Sequence, residues 1–358
     1  MGKDIKINFI LPYKPKRPTG GVKMMYEYAN RLAKKNYSVH IYYPLKTRFI
    51  DYRFPFVIRW ILSKIEGFRT FCWFDFDPAI KMSYINSVSD KYVTDADVTI
   101  STWWSTALDM GRLSPSKGKK INFIQGFENW AGHEDLLYTS YQIEGATNVV
   151  IANFLKEIVE KHSHNKTVVI ENAIDLDAFC VRENIENRDS YTVCMNYSTQ
   201  GIKGSDYGIE ALKIVKNQKP DLKVEMFSIY PRPESLPEWI SFYQTPADLP
   251  DVYNRCAIFI TNSFTEGFGL VSVEAMACGC ALICTDIPGH REFATDNETA
   301  LLVEPQNSAQ MAEKICSLIE DNAKRITIAK QGNNYVQRYS WESAVGKMEN
   351  VINEAIKD

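Results

Sequence analysis

The stretch Thr265-Glu266-Gly267-Phe268-Gly269-Leu270-Val271-Ser272-Val273-Glu274-Ala275-Met276-Ala277-Cys278-Gly279 carries two carboxylates eight positions apart with two glycines between them. A continuous apolar run, 257–260, comes before it, and from Leu270 onward the residues read as a helix. A strand, a glycine-rich turn and a helix in this order bring backbone N–H groups and a helix N-terminus to a phosphorylated or polyhydroxylated ligand. Glu266 would stand on the turn and Glu274 about one turn into the helix, each able to accept hydrogen bonds from hydroxyls. Glutamates spaced this way also serve purely structural ends, so the spacing alone leaves both uses open.

The pattern repeats outward in both directions. Residues 5–10 alternate like a half-buried strand, 12–21 form a loop, 22–35 place apolar residues at helical spacing, and 38–43 read as a second strand. Further strands are expected at 97–102, 120–125, 148–152 and 167–171, with helical stretches such as 153–161 between them. A second series begins with a strand at 191–197, a glycine loop, a helix at 206–217 and a strand at 222–229. Helices at 308–320, 323–338 and 341–356 follow, the last of them amphipathic. Strands alternating with helices argue for parallel sheets. Two such series imply an α/β chain of two Rossmann-like domains, 1–180 and 181–340, facing across a ligand-holding cleft, joined through the polar stretch 182–190. The terminal helix, 341–358, is expected to pack back toward the first domain. Residues 44–90 fit no clean alternation. The first loop is not a GxGxxG fingerprint, so no dinucleotide site is indicated.

Composition fits this picture. The 358 residues suffice for two cores, and 45% hydrophobic with 24% charged residues is ordinary for a globular protein. No apolar run reaches the length of a membrane-spanning helix, and the N-terminus lacks a signal-peptide core, so a cytoplasmic location is expected. The eight cysteines are scattered; Cys256, Cys278, Cys280 and Cys284 lie in apolar segments and read as small buried hydrophobes. Charge is uneven: residues 1–74 hold 15 Lys and Arg against 4 Asp and Glu, an excess that favours an anionic surface or acceptor. Nucleic-acid recognition signatures are absent.

The Glu266–Glu274 segment resembles the donor-site signature of the retaining GT-B glycosyltransferases of the large fourth family, the group 1 glycosyltransferases. The similarity runs on through Ala281-Leu282-Ile283-Cys284-Thr285-Asp286-Ile287-Pro288-Gly289, Arg291-Glu292 and Ala300-Leu301-Leu302-Val303. It implies the GT-B fold and a metal-independent transfer of a sugar from a dTDP-, UDP- or GDP-linked donor, the nucleotide-sugar being a substrate and no cofactor being needed. By the same resemblance Glu274 would bond the ribose hydroxyls and Glu266 the transferred sugar. The N–H groups of Gly267, Phe268, Gly269 and Leu270 would hold sugar or phosphate.

Lys203, in the loop 196–204 between a strand and a helix, can neutralise phosphate oxygens there, and it resembles the family's diphosphate-binding lysine. An arginine usually lies five positions earlier; this chain has Ser198. Gly20 and Gly21 resemble the family's glycine loop, which approaches donor and acceptor because no side chain intervenes. Gln125 stands where many relatives carry a histidine, and Glu128 follows; that pair is similar to the branch containing rhamnosyltransferases. Gln125, Glu128 and His133 are the acceptor- or sugar-binding candidates. No histidine has metal-ligand spacing, and the Asp-x-Asp runs 75–77, 95–97 and 175–177 read as loop or cap chemistry, so no metal is expected.

Basic residues Arg48, Arg53, Arg59, Lys64 and Arg69 interleave with aromatics across 48–74. That mixture suits an anionic membrane interface, here the inner face; an acceptor lid, or helices whose cations snorkel, has the same composition. The resulting expectation is a peripheral enzyme acting on a glycan or lipid-linked glycan of the cell envelope. The alternative is a catalytically idle GT-B subunit that binds nucleotide or glycan.

Overall fold

The computed structural model describes residues 5–48, 54–65, 73–129 and 132–357. It divides into two compact units: Met1–Asn172 with Glu342–Asp358, and Ala173–Trp341. The division falls at Asn172, a few residues ahead of the position the sequence suggests. Each unit is built on a parallel sheet, and the fold is that of the GT-B glycosyltransferases.

In chain order the first unit contains β1 (Lys6–Ile10), α1 (Gly20–Lys34), β2 (Ser38–Pro44), α2 (Phe56–Ile65), β3 (Lys81–Ile85), β4 (Val98–Thr102), α3 (Trp104–Met110), β5 (Lys119–Ile124), α4 (Glu134–Tyr141), β6 (Thr147–Val150), α5 (Asn153–His162) and β7 (Thr167–Val169). The sheet order is β3-β2-β1-β4-β5-β6-β7. The chain therefore winds outward from β1 to β3, then returns beside β1 to begin β4. Every residue of β4 is buried, as a central strand covered on both faces requires, and its β-branched Val98, Thr99, Ile100 and Thr102 suit that place. The helix and strand within 44–90, α2 and β3, were hidden from the sequence pattern because neither carries a clean polar–apolar period.

The C-terminal helix Trp341–Lys357 completes this unit. Ala344, Val345, Met348, Val351, Ile352 and Ala355 form its buried stripe. Its rim is fastened by Lys35 to Glu349 at 2.5 Å, Lys347 to Glu171 at 2.6 Å and Lys166 to Glu354 at 2.6 Å. These exposed pairs contribute little; the apolar stripe, at roughly 1.5–3 kcal/mol per large side chain, holds the helix.

The second unit contains β8 (Thr192–Asn196), α6 (Ser205–Gln218), β9 (Lys223–Ser228), β10 (Ile240–Gln244), α7 (Leu249–Arg255), β11 (Ile258–Thr261), α8 (Leu270–Ala277), β12 (Ala281–Thr285), α9 (Pro288–Arg291), β13 (Ala300–Val303), α10 (Ser308–Glu320) and α11 (Asn322–Val336). Its sheet order is β10-β9-β8-β11-β12-β13, again with one reversal, between β8 and β11. Cys256, Cys278, Cys280 and Cys284 are buried free thiols. Buried Arg188 donates to the carbonyls of Cys256 at 3.0 Å and Cys278 at 2.6 Å, tying the segments ahead of β11 and β12 together beneath the sheet.

Candidate active site

In open parallel sheets ligands gather at the carboxyl ends of the strands where the winding reverses. In the second unit that place lies between β8 and β11. The loop leaving β8 reaches Gly204, whose φ is 60° and where an added Cβ would come 2.1 Å from the Asn262 carbonyl; glycine is required there. The Phe264 N–H donates to the Ile202 carbonyl at 2.8 Å, binding this loop to the one that leaves β11. The two fastened loops carry Lys203 and Glu266.

Lys203 Nζ donates to Glu266 Oε1 at 2.7 Å, and Ser263 Oγ donates to the same oxygen at 2.7 Å. Both donors converge on Oε1, and Oε2 takes no hydrogen bond from the described residues. Glu266 is held from behind as well. An added Cβ at Gly289 would lie 2.3 Å from the Glu266 carbonyl, so α9 packs backbone to backbone against the turn. Thr285 Oγ1 donates to the Ser263 carbonyl at 2.5 Å. His290 lies wholly buried under Gly269, with Nδ1 2.8 Å from the Thr285 carbonyl. A carbonyl accepts only, so Nδ1 carries the proton and the neutral ring offers Nε2 as an acceptor, which finds no partner among the described residues. Burial keeps this imidazole below its usual range; Glu266 opposes that shift and Lys203 adds to it.

Gly269, with φ 97°, turns the chain into α8, whose first N–H groups have no partner within the helix. Glu274 is in the second turn and 7% exposed. The Phe268 side chain is enclosed by the rings of Phe293 and Tyr339, at 5.7 and 5.1 Å, so this residue can present only its backbone to a ligand. Ser198 donates its N–H to Ser205 Oγ at 2.9 Å and accepts from it through its carbonyl at 3.0 Å. The serine in the usual arginine position closes the turn rather than presenting charge.

In the first unit the reversal lies between β1 and β4. Gly20 and Gly21 open α1, and a Cβ at Gly21 would stand 3.3 Å from Gln125 Oε1. Gln125, just past β5, donates from Nε2 to Thr102 Oγ1 at 2.9 Å, which orients the amide; its Oε1 is buried and without a partner among the described residues. Glu128 accepts the Trp104 N–H at 3.0 Å through Oε2. Burial, only partly opposed by that bond, pushes its carboxyl up to about 8, so it is largely protonated at neutral pH. His133 is exposed, its ring 5.9 Å from that of Trp104, on the edge of a depression of about 400 Å³ lined by Gly132, His133, Glu134, Asp135 and Leu136.

Residues 181–335 match the model of the family described as glycosyl transferases group 1. Over that stretch, less than half of the chain, the sequence is similar to that family. An uncharacterised glycosyltransferase of Methanocaldococcus jannaschii is 25% identical over 214 residues, 58% of this chain and 59% of that protein. A D-inositol 3-phosphate glycosyltransferase of Rhodococcus opacus is 32% identical over 127 residues, 35% of this chain and 27% of that protein. The chain thus spans 59% and 27% of the lengths of these curated relatives. The Anabaena protein HepE, solved with UDP, superposes with a TM-score of 0.73 at 14% identity, covering 98% of this chain and 100% of its own.

The second unit brings Lys203, Glu266, Gly267 and Gly269 together through its two loops. Gly20, Gly21, Gln125 and Glu128 gather within the first unit, with His133 on the neighbouring segment. In each Asp-x-Asp run at least one carboxylate is engaged structurally. Asp95 pairs with Lys117 at 2.7 Å, Asp97 accepts the Lys6 N–H at 2.8 Å, and Asp77 and Asp175 cap local turns. Sequence reasoning did not single out Ser263, met Thr285 only within the family-like stretch, and left His290 to a surface or structural role. For His290 the signal was its place directly after the Pro-Gly that follows a strand of the family signature.

Proposed function

We propose that the protein transfers a sugar, with retention of anomeric configuration, from a nucleotide-sugar to a hydroxyl of a glycan or lipid-linked glycan. The observation that carries this reading is the Lys203–Glu266 pair, 2.7 Å apart on loops fastened at the strand reversal. The bond between the anomeric carbon and the diphosphate oxygen breaks as the acceptor oxygen attacks from the same face. The acceptor proton passes to the departing phosphate oxygen. Charge builds on the diphosphate, and Lys203 with the N–H groups from Gly267 to Leu270 stabilises it without a metal. Glu266 Oε2 accepts from the sugar and Glu274 from the ribose. Gln125, Glu128 and His133 serve the acceptor.

Release of free nucleotide from UDP-, GDP- and dTDP-sugars, screened with and without added glycan, tests this. Turnover of one donor is expected, with loss in Glu274→Ala through weaker donor binding. Nucleotide bound but never turned over would instead make the chain an idle binding subunit.

Helix α2 bears on where the enzyme works. Phe56, Val57, Ile58, Trp60, Ile61, Leu62 and Ile65 are all exposed, and Arg59 and Lys64 stand among them. Arg53 and Arg69, with Phe49, Tyr52, Phe68 and Phe71, lie outside the described residues. No helix among the described residues is long and apolar enough to cross a membrane. The helix fits shallow insertion into an anionic cytoplasmic leaflet, where a lipid-linked acceptor is presented. Trp60→Asp with Ile61→Asp should end co-sedimentation with phosphatidylglycerol vesicles; unchanged binding would remove the membrane from this reading.

A further inference from the structure

We propose that Trp103 is the platform on which an uncharged pyranose ring of the acceptor stacks, beside the buried Oε1 of Gln125. This rests on the first unit being the acceptor side.

Trp103 follows the last residue of β4, at the reversal between β1 and β4. Its φ and ψ are 75° and 128°, a conformation that glycine adopts freely and a bulky side chain does not. Strain of this kind persists where the surroundings impose it, and core packing does not explain it here, because the Trp103 side chain is only half-buried. The residues on either side are both pinned to the segment after β5: Thr102 by Gln125 at 2.9 Å, and Trp104 by Glu128 at 3.0 Å. Trp103 is thereby held next to the one segment that carries both Gln125 and Glu128. Its ring centroid lies 6.2 Å from that of Trp104, which is 2% exposed and gives it a rigid base.

Gln125 supplies the second, independent observation. With Nε2 fixed on Thr102, its Oε1 is a buried acceptor lacking a donor among the described residues, and such atoms in folded proteins normally find one. A ligand hydroxyl would satisfy it. A pyranose offers both things this place lacks, an apolar face of C–H bonds for an indole and a hydroxyl for an amide oxygen. A phosphate suits it poorly. Among the described residues no cation figures in the shift of Glu128, whose carboxyl is raised by burial, and a neutral hydroxyl suits such a neighbour better than an anion does.

Saturation-transfer NMR on the full chain decides the matter. The probes are UDP, the methyl α-glycopyranosides of glucose, mannose, galactose and rhamnose, and inositol 3-phosphate. At least one glycoside should receive saturation on the C–H protons of a single ring face. Trp103→Gly, which suits the backbone and removes the ring, should cut that signal at least fivefold and leave the UDP signal unchanged. Trp103→Phe should restore part of it. The proposal is overturned if no glycoside is saturated, if Trp103→Gly keeps the signal, or if inositol 3-phosphate alone responds. Absence of a UDP signal in the wild-type chain would instead count against the donor assignment in the second unit, so the two failures are distinguishable.

Discussion

The two units place their functional side chains at the same topological position and give them opposite electrostatics. At the β8–β11 reversal, a lysine and a carboxylate share a hydrogen-bonded ion pair at 2.7 Å. At the β1–β4 reversal, the groups are an amide, an indole, two glycines and a carboxyl that burial keeps protonated. Parallel winding determines where a ligand can sit; the local side chains determine what charge it can bring. The first arrangement suits a diphosphate whose charge grows during reaction, and the second a neutral sugar that must be desolvated and held.

Lys203 offers the largest break in this contrast. Lys203→Ala removes the cation and also frees Glu266 Oε1 from one of its two donors. Turnover should fall about 10²–10³-fold, the usual effect of deleting one charge-stabilising donor from a transition state. Lys203→Gln can keep the hydrogen bond without the charge. If the glutamine variant turns over like wild type, the second unit does not work by charge, and the contrast fails on that side.

The charged site was far more legible in the sequence than the neutral one. Glu266, Gly267, Gly269 and Glu274 are near neighbours in the chain, and one strand-turn-helix delivers them together, so local pattern carried most of the information. Their support was not local. His290 reaches Gly269 only because α9 packs on the turn, and its place after Pro288-Gly289 marks the position without revealing that the imidazole is wholly buried. In the first unit, Gly21 and Gln125 meet because β1, β4 and β5 lie side by side, which is information carried by sheet order rather than spacing. Trp103 was illegible for another reason. Local preference assigns positive φ to glycine or asparagine, and a tryptophan there contradicts the rule by which a reader works. The fold was legible wherever strands alternate with helices, and failed at α2 and β3, where apolar residues crowd without a period.

Glu128 gives the next test, in stability rather than rate. Its carboxyl titrates near 4.5 when unfolded and near 8 when folded. Below about 4.5 both states hold the proton and nothing is lost. As pH rises toward 8 the unfolded chain ionises while the folded one does not, so stability declines by up to about 1.4 kcal/mol per pH unit. Glu128→Gln keeps an oxygen for the Trp104 N–H and has no proton to lose. Urea unfolding should show the two chains equal near pH 4.5 and the variant ahead at pH 8.5 by on the order of 4 kcal/mol. Parallel pH profiles would mean that Glu128 is ionised in the folded unit, and the first site would no longer be the neutral member of the pair.

The smallest effect concerns the backbone under Trp103. Both Trp103→Ala and Trp103→Gly remove the indole and its contact with Trp104, so their difference isolates the conformation. At φ 75° and ψ 128° a Cβ is strained, and glycine is not. Glycine has more freedom to lose on folding, by roughly 0.5–1 kcal/mol, and this offsets part of the gain. Relief of strain in such a region is worth about 1–3 kcal/mol, so the glycine variant should unfold at the higher urea concentration, by about 1 kcal/mol. Equal stability, or an advantage for alanine, would show that residue 103 carries no strain. Trp103 would then be an ordinary half-buried aromatic, and the neutral site would keep Gln125 but lose the argument for its platform.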